Sequence, residues 1–334
     1  MSVWKFLLYF VIFIGVFFLF LFLRYGNETA SLLSSILQSS ATVPFESQPT
    51  FYGTNESTST TSPSSEELGM HPLLFPNMRW AYMPVKIYVD NSTCTSDIYT
   101  KMSMAAEDWA QATNGTVSFS FDGDPGTANV NVECNRHLPT QEEGNMVVET
   151  LGETQPKALD SGLYNVTQSA DVSILLHQYL CHQPIVFIHE LGHVLGLAHD
   201  NDTESVMYPY ERCNQKITPQ IVSTLKALYA DPALPDLYLK DVSANRHGIY
   251  VDFNLTILNR GIIDSPTTTI SIVDGSNPIY SLDVPILRPG SGWYYTVGNV
   301  LVRSSFANVS VKVDPKNEIK ELTNSSKIIY LVQK

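Results

Sequence analysis

The segment HELGHVLGLAHD, residues 189–200, sets three histidines, one glutamate and two glycines into twelve positions of a chain with only 8 histidines in 334 residues. The residues between them are apolar, as in a buried helix, and a buried helix has no use for that many imidazoles unless they share a ligand. His189 and His193 are four apart, so on a helix they stand one above the other on one face. Both rings can then reach a single ion at about 2.0–2.1 Å. A straight helix would carry His199 away. Gly196 resolves this, because glycine takes the left-handed conformation that ends a helix and lets residues 197–199 swing back.

Three neutral imidazoles on Zn²⁺ leave the fourth position for water, whose pKa there falls to about 7. Glu190 sits beside the first ligand without being one. It can take the water proton and pass it to a leaving amine. The expectation is one catalytic zinc ion held by His189, His193 and His199, with Glu190 as the catalytic base and Gly196 as the turn that delivers the third ligand.

This segment resembles the zinc signature of the metzincin endopeptidases throughout. SVMYP downstream resembles their Met-turn, with Met207 beneath the metal. Within that clan the Met-Tyr-Pro turn, the closing ALY helix and the opening MRWAYMPVKIYVD resemble the matrixins, over roughly residues 75–230. The resemblance implies a zinc-dependent hydrolysis of peptide bonds in extracellular or cell-surface proteins, with Tyr208, Pro209 and Tyr210 lining the substrate pocket. There are departures. Asp200 after the third histidine is more typical of the reprolysin branch. No histidine cluster marks a second, structural zinc site, and His177 and His182 read as surface or core residues. The cysteine-containing propeptide motif of vertebrate matrixins is absent, which argues against that mode of latency. The alternative is a non-catalytic surface adhesion or binding protein with a protease-like domain. Intact Glu190 speaks against it, since a pseudoenzyme can lose its base while keeping its ligands.

The start of the chain bears on where such an enzyme works. Residues 6–23, FLLYFVIFIGVFFLFLFL, are an uncharged apolar run between Lys5 and Arg24. At 1.5 Å per residue the run covers about 27 Å, close to the hydrocarbon thickness of a bilayer. No small-residue cleavage site follows it. We read residues 1–24 as an uncleaved signal-anchor, with a cleaved signal and secretion as the alternative. The flanking charges are balanced and set no orientation. Nine N-x-S/T sequons and an even number of cysteines place the bulk of the chain outside the cell. Net charge is −13 and no basic cluster occurs, which excludes nucleic acid as a partner.

Residues 25–72, with the low-complexity TNESTSTTSPSSEE, form no element by pattern and read as a disordered stalk. Residues 73–232 alternate strands with helices. PVKIYVDNS, TVSFSF, ANVNVEC, MVVETLG and ADVSILL read as strands. SDIYTKMSMAAEDWAQATNG reads as a helix with a Ser/Asp cap and an Asn-Gly end. QPIVFIHELGHVL reads as a second helix with Pro184 at its first position, and ITPQIVSTLKALY as a third. The expected fold is α+β, a mixed twisted sheet plus three helices.

DPALP, residues 231–235, marks a boundary. Seven short strand-like segments follow in residues 235–334, which suggests an all-β, immunoglobulin-like sandwich. The landmarks DL, LNRG, LRPG and VDPKNEIKEL resemble the CARDB modules of prokaryotic surface proteins, implying spacing or adhesion to a surface protein or glycan. Asp314, Asn317 and Glu318 could be taken for a calcium site; we read them as a solvated turn, so calcium is not indicated. The four cysteines, Cys94, Cys134, Cys181 and Cys213, include no CxxC pair and read as two disulfides. Of the three connectivities we favour Cys94–Cys134 and Cys181–Cys213, because the second would join the start of the active-site helix to the end of the Met-turn.

Overall fold

The computed structural model describes residues 43–45, 70–143, 146–176, 181–305, 308–323 and 328–330. The expected membrane span at residues 6–23, most of the expected stalk, and His177 lie outside them. Among the described residues no helix is long and apolar enough to cross a membrane. The stretch expected to carry no element does contain one short strand, β1 (Val43–Phe45), which pairs antiparallel with a strand of the C-terminal region, Val43 opposite Tyr294.

The chain from residue 70 builds a mixed sheet. Strands β2 (Met78–Trp80) and β3 (Val85–Val89) precede helix α1 (Ser96–Ala112). Thr95 caps α1 by accepting from Ile98 N, one residue ahead of the expected Ser/Asp cap. Ile98, Met102, Ala105, Ala106 and Trp109 recur at helical spacing and are buried against the sheet. Asn114 and Gly115, both at positive φ, end the helix as the sequence predicts. Next come β4 (Phe119–Phe121), β5 (Val130–Asn135), the ribbon β6 (Thr140–Glu143) and β7 (Met146–Glu149), then β8 (Gly152–Asp160) and β9 (Asn165–Leu175). Strands run in the order β2-β9-β5-β3-β4, all parallel, and β8 lies antiparallel along β9. MVVETLG is thus not a strand of the main sheet; its first four residues pair with β6 alone.

β8 was not expected. Its sequence GETQPKALD is polar and carries Pro156, which suits an edge strand where no ladder donor is missed. Two helices follow, α2 (Ile185–Val194) and α3 (Pro219–Leu228). Pro184 is the residue before α2 and not its first helical position. The core under α2 includes two tryptophans that also anchor its backbone: Trp109 Nε1 donates to Ile188 O (2.9 Å) and Trp80 Nε1 to Val194 O (2.8 Å). The structured region begins before residue 73, since His71 is buried and its N–H donates to Thr224 Oγ1 of α3 (2.7 Å).

Among the described residues past Pro235 no α-helix occurs, and the strands are β10 (Leu237–His247), β11 (Tyr250–Asn259), β12 (Thr268–Asp274), β13 (Asn277–Val284), β14 (Gly292–Leu301), β15 (Val309–Val313) and β16 (Ile328–Tyr330). They form two four-stranded sheets, β1-β14-β11-β10 and β13-β12-β15-β16. Phe253, Leu255 and Ile257 of one sheet share a core with Ile270, Ile272 and Val311 of the other. Arg260 closes the boundary. Its guanidinium pairs with the buried Asp236 (2.8 Å), and its carbonyl accepts from Ser161 Oγ (2.8 Å) in the β8–β9 turn. Asp314 turns out to be buried, with its carboxylate accepting from Glu318 N and Ile319 N. It caps a turn in which Asn317 and Glu318 are exposed as expected.

Candidate metal centre

Helix α2 ends where the sequence places Gly196. Gly196 adopts φ +91°, its N–H donates to His193 O (2.9 Å), and Leu197 N–H donates to Gly192 O (3.0 Å). These are the two bonds of a Schellman cap. The chain then reverses and brings His199 back over the helix. The Nε2 atoms of His189 and His193 lie 3.0 Å apart, those of His189 and His199 3.1 Å, and those of His193 and His199 3.2 Å. Among the described residues these three form the one group of His, Cys, Asp or Glu side chains close enough to hold a metal ion.

The donor chemistry fits zinc. Nitrogens at about 2.0–2.1 Å from a tetrahedral ion stand about 3.3 Å apart, close to the observed triangle. His189 Nδ1 donates to Val206 O (2.7 Å) and His193 Nδ1 to Leu197 O (2.8 Å). Each bond puts the proton on Nδ1 and leaves the Nε2 lone pair for a metal. Burial is the main reason that His189 is pushed down to about 4 and His193 to about 3, and it lowers His199 as well. The rings are therefore neutral at ordinary pH, the form in which Nε2 can bind a metal.

Glu190 is buried, 3% exposed, at the base of an open cleft of about 650 Å³. Burial raises its carboxyl to about 7, against the opposing effect of a hydrogen bond from Thr154 Oγ1 to Glu190 Oε2 (2.6 Å). Gly152, two residues earlier on β8, leaves the space that the carboxylate fills, since any Cβ there would collide with it. Sequence reasoning missed both residues, because β8 itself was missed.

Met207 is fully buried beneath α2, and its Sδ lies against Gly192, where a Cβ would strike it. Its carbonyl accepts from Asp200 N (3.1 Å), so the turn and the third-ligand segment hold each other. Tyr208, Pro209 and Tyr210 line the same cleft as the three histidines, Gly152 and Thr154. Buried Gln215 fixes that wall: its Nε2 donates to Tyr210 O (2.8 Å) and its Oε1 accepts from Arg212 N (3.0 Å). Cys181 is bonded to Cys213, and Cys94 to Cys134. His182 is exposed and away from the triad.

Comparison with known proteins identifies two family matches along the chain. Residues 80–230 match the family model described as matrixin, and residues 234–327 match the one described as CARDB. Solved structures similar to the chain include the CARDB domain of a Pyrococcus furiosus protein, described as in complex with di-metal ions. That domain is 18% identical, covering 29% of this chain and 88% of that one, with a TM-score of 0.25. A domain of a putative cell surface protein from Methanosarcina acetivorans is 20% identical, with 29% and 88% covered and a TM-score of 0.26. No curated protein matches the chain.

Proposed function

We propose that this chain, a matrixin domain followed by a CARDB domain, is a zinc-dependent endopeptidase anchored in the cell membrane through residues 6–23, with both domains outside. The observation that supports it most is the convergence of three Nε2 atoms within 3.0–3.2 Å of one another beside a buried carboxylate in an open cleft. His189, His193 and His199 are the residues that would hold the ion. Zinc, when bound, supplies a Lewis acid that polarises the scissile carbonyl and acidifies water.

The protein's own groups do the rest. Glu190, oriented by Thr154, accepts a proton from the attacking water as its oxygen bonds to the carbonyl carbon. The carboxylic acid so formed returns the proton to the amine nitrogen as the C–N bond breaks, so the base is restored each cycle. In the metal-free site burial raises the Glu190 carboxyl to about 7. The Tyr208–Pro209–Tyr210 wall on one side and edge strand β8 on the other bound a cleft open enough for an extended peptide. The CARDB domain serves as a spacer or as a contact for a surface protein or glycan.

The test is hydrolysis of casein and of a peptide library by the purified full-length protein, with chelation and zinc add-back. Hydrolysis that a chelator abolishes and Zn²⁺ restores is expected. Zinc binding with no cleavage of any substrate would favour a non-catalytic adhesion protein. The anchor is tested separately, by sedimentation of the full chain with membranes after carbonate washing. Soluble protein starting near residues 25–41 would show a cleaved signal instead.

A further inference from the structure

Residues 71–74, where the linker expected at residues 25–72 meets the first domain, lie along the turn that delivers the third histidine. Leu73 and Leu197 form an isolated antiparallel bridge. On either side of it Leu74 N–H donates to Gly196 O (2.8 Å) and Ala198 N–H donates to Pro72 O (3.0 Å). His71 adds side-chain contacts at the far end. Its Nε2 lies 2.9 Å from Ala198 O, to which it donates, and its Nδ1 lies 3.2 Å from Asp200 Oδ2 without hydrogen-bond alignment. The neighbours on both sides of His199 therefore face this one imidazole. His71 is 1% exposed, and its own N–H is tied to Thr224 Oγ1 on α3, a fully buried hydroxyl.

The turn needs such a partner. Beyond the cap bond from Leu197 N–H to Gly192 O, the segment 197–199 has left the helix, and its remaining buried backbone groups must be paired elsewhere. His189 and His193 are held by α2 itself. His199 depends on the path of a loop, which the Met207 carbonyl, through Asp200 N–H, holds on one side and residues 71–74 hold on another. We infer that this segment is a strap that positions His199, and that His71 is a positioning residue for the third metal ligand without touching the metal. The inference rests on the proposed zinc role of the three histidines. Its consequence is that the end of the linker is part of the metal centre.

The experiment measures zinc affinity of the metal-free full-length protein by competition with a chromogenic chelator. Wild type that fails to compete at all overturns the zinc role of the triad, and the strap with it. With wild type binding, His71→Ala should weaken zinc by about 10–100-fold, the usual effect of removing an outer partner of a metal ligand. His71→Gln, whose amide nitrogen can still donate to Ala198 O, should recover most of that loss. Unaltered affinity in His71→Ala, within twofold, overturns the strap alone, even if the melting temperature falls. So does a His71→Gln variant as weak as the alanine. Should His71→Ala not fold, Thr224→Val, which removes the acceptor for His71 N–H at a distance from the metal, is read by the same twofold criterion.

Discussion

Gly152 on β8 and Glu190 on α2 share one space: the glutamate carboxylate occupies the volume that a side chain on residue 152 would need. Glu190 cannot simply shift along its helix, because Trp80 and Trp109 hold the α2 carbonyls at Val194 and Ile188. A Gly152→Ala substitution therefore has to displace either the carboxylate or β8. Displacing a reacting group by about 1 Å can lower a rate by about 10²-fold. We expect kcat/KM for a peptide substrate to fall by roughly that factor while zinc stays near one per chain. Unchanged kinetics would mean that Glu190 acts from a position other than the one it holds here.

The buried carboxyl also gives a signature in stability. In the fold Glu190 is raised from 4.5 to about 7, so above pH 7 the folded state carries a charge that the unfolded state solvates better. The folded state binds the proton first as pH falls, so this penalty fades below pH 7 and is gone below 4.5. The difference is about 3 kcal/mol at its fullest. His189 and His193 act oppositely, since their depressed values lose stability as pH falls below 6.5. Comparison with Glu190→Gln isolates the glutamate. The metal-free variant should melt above metal-free wild type at pH 8, with the gap closing by pH 5. A gap independent of pH would show that Glu190 is not titrating in this range.

How much of this was legible in the sequence depends on what each feature required. The convergence of the three histidines was, because His189, His193 and Gly196 need only helix geometry and one left-handed residue. The seven C-terminal strands were, because each is a short run of strand-forming residues set between turn formers. β8 was not: an edge strand beside a cleft carries polar residues and a proline, and nothing in GETQPKALD alternates. Gly152 and Thr154 went with it. His71 stayed hidden for another reason. Its partners are 127 and 153 residues away along the chain, and no local pattern marks such a contact. The two tryptophans are buried in the core, and their ring N–H bonds to α2 depend on tertiary placement alone.

The Cys181–Cys213 bridge joins the residue region before α2 to the end of the cleft wall, across a separation of 32 residues. A loop of that length implies about 3–4 kcal/mol of stabilisation by chain entropy. The Cys181→Ser/Cys213→Ser double variant should melt lower. Its larger effect on catalysis should be in KM, because Tyr208 and Tyr210 line the cleft while Glu190 and the histidines are held by other elements. A loss confined to kcat, with KM unchanged, would place the bridge in support of the chemistry and not of the substrate wall.

The roles of Glu190 and the histidines separate when both are substituted. Replacing His189, His193 or His199 by alanine removes one nitrogen of a three-point site, and zinc content should drop well below one per chain. His189→Ala has a second effect, because the Val206 carbonyl loses its imidazole donor at the start of the Met-turn. Glu190→Ala leaves every nitrogen in place, and zinc should remain near one per chain. Hydrolysis should still fall by about 10²–10⁴, the usual contribution of a positioned general base. Thr154→Val gives an intermediate case. It keeps Glu190 but removes the donor that favours its ionised form, so the acid side of the pH–rate profile should move to higher pH. Metal content and kcat/KM measured side by side for the full-length variants decide the matter. A Glu190→Ala protein that retains both zinc and full activity rules out this carboxylate as the base.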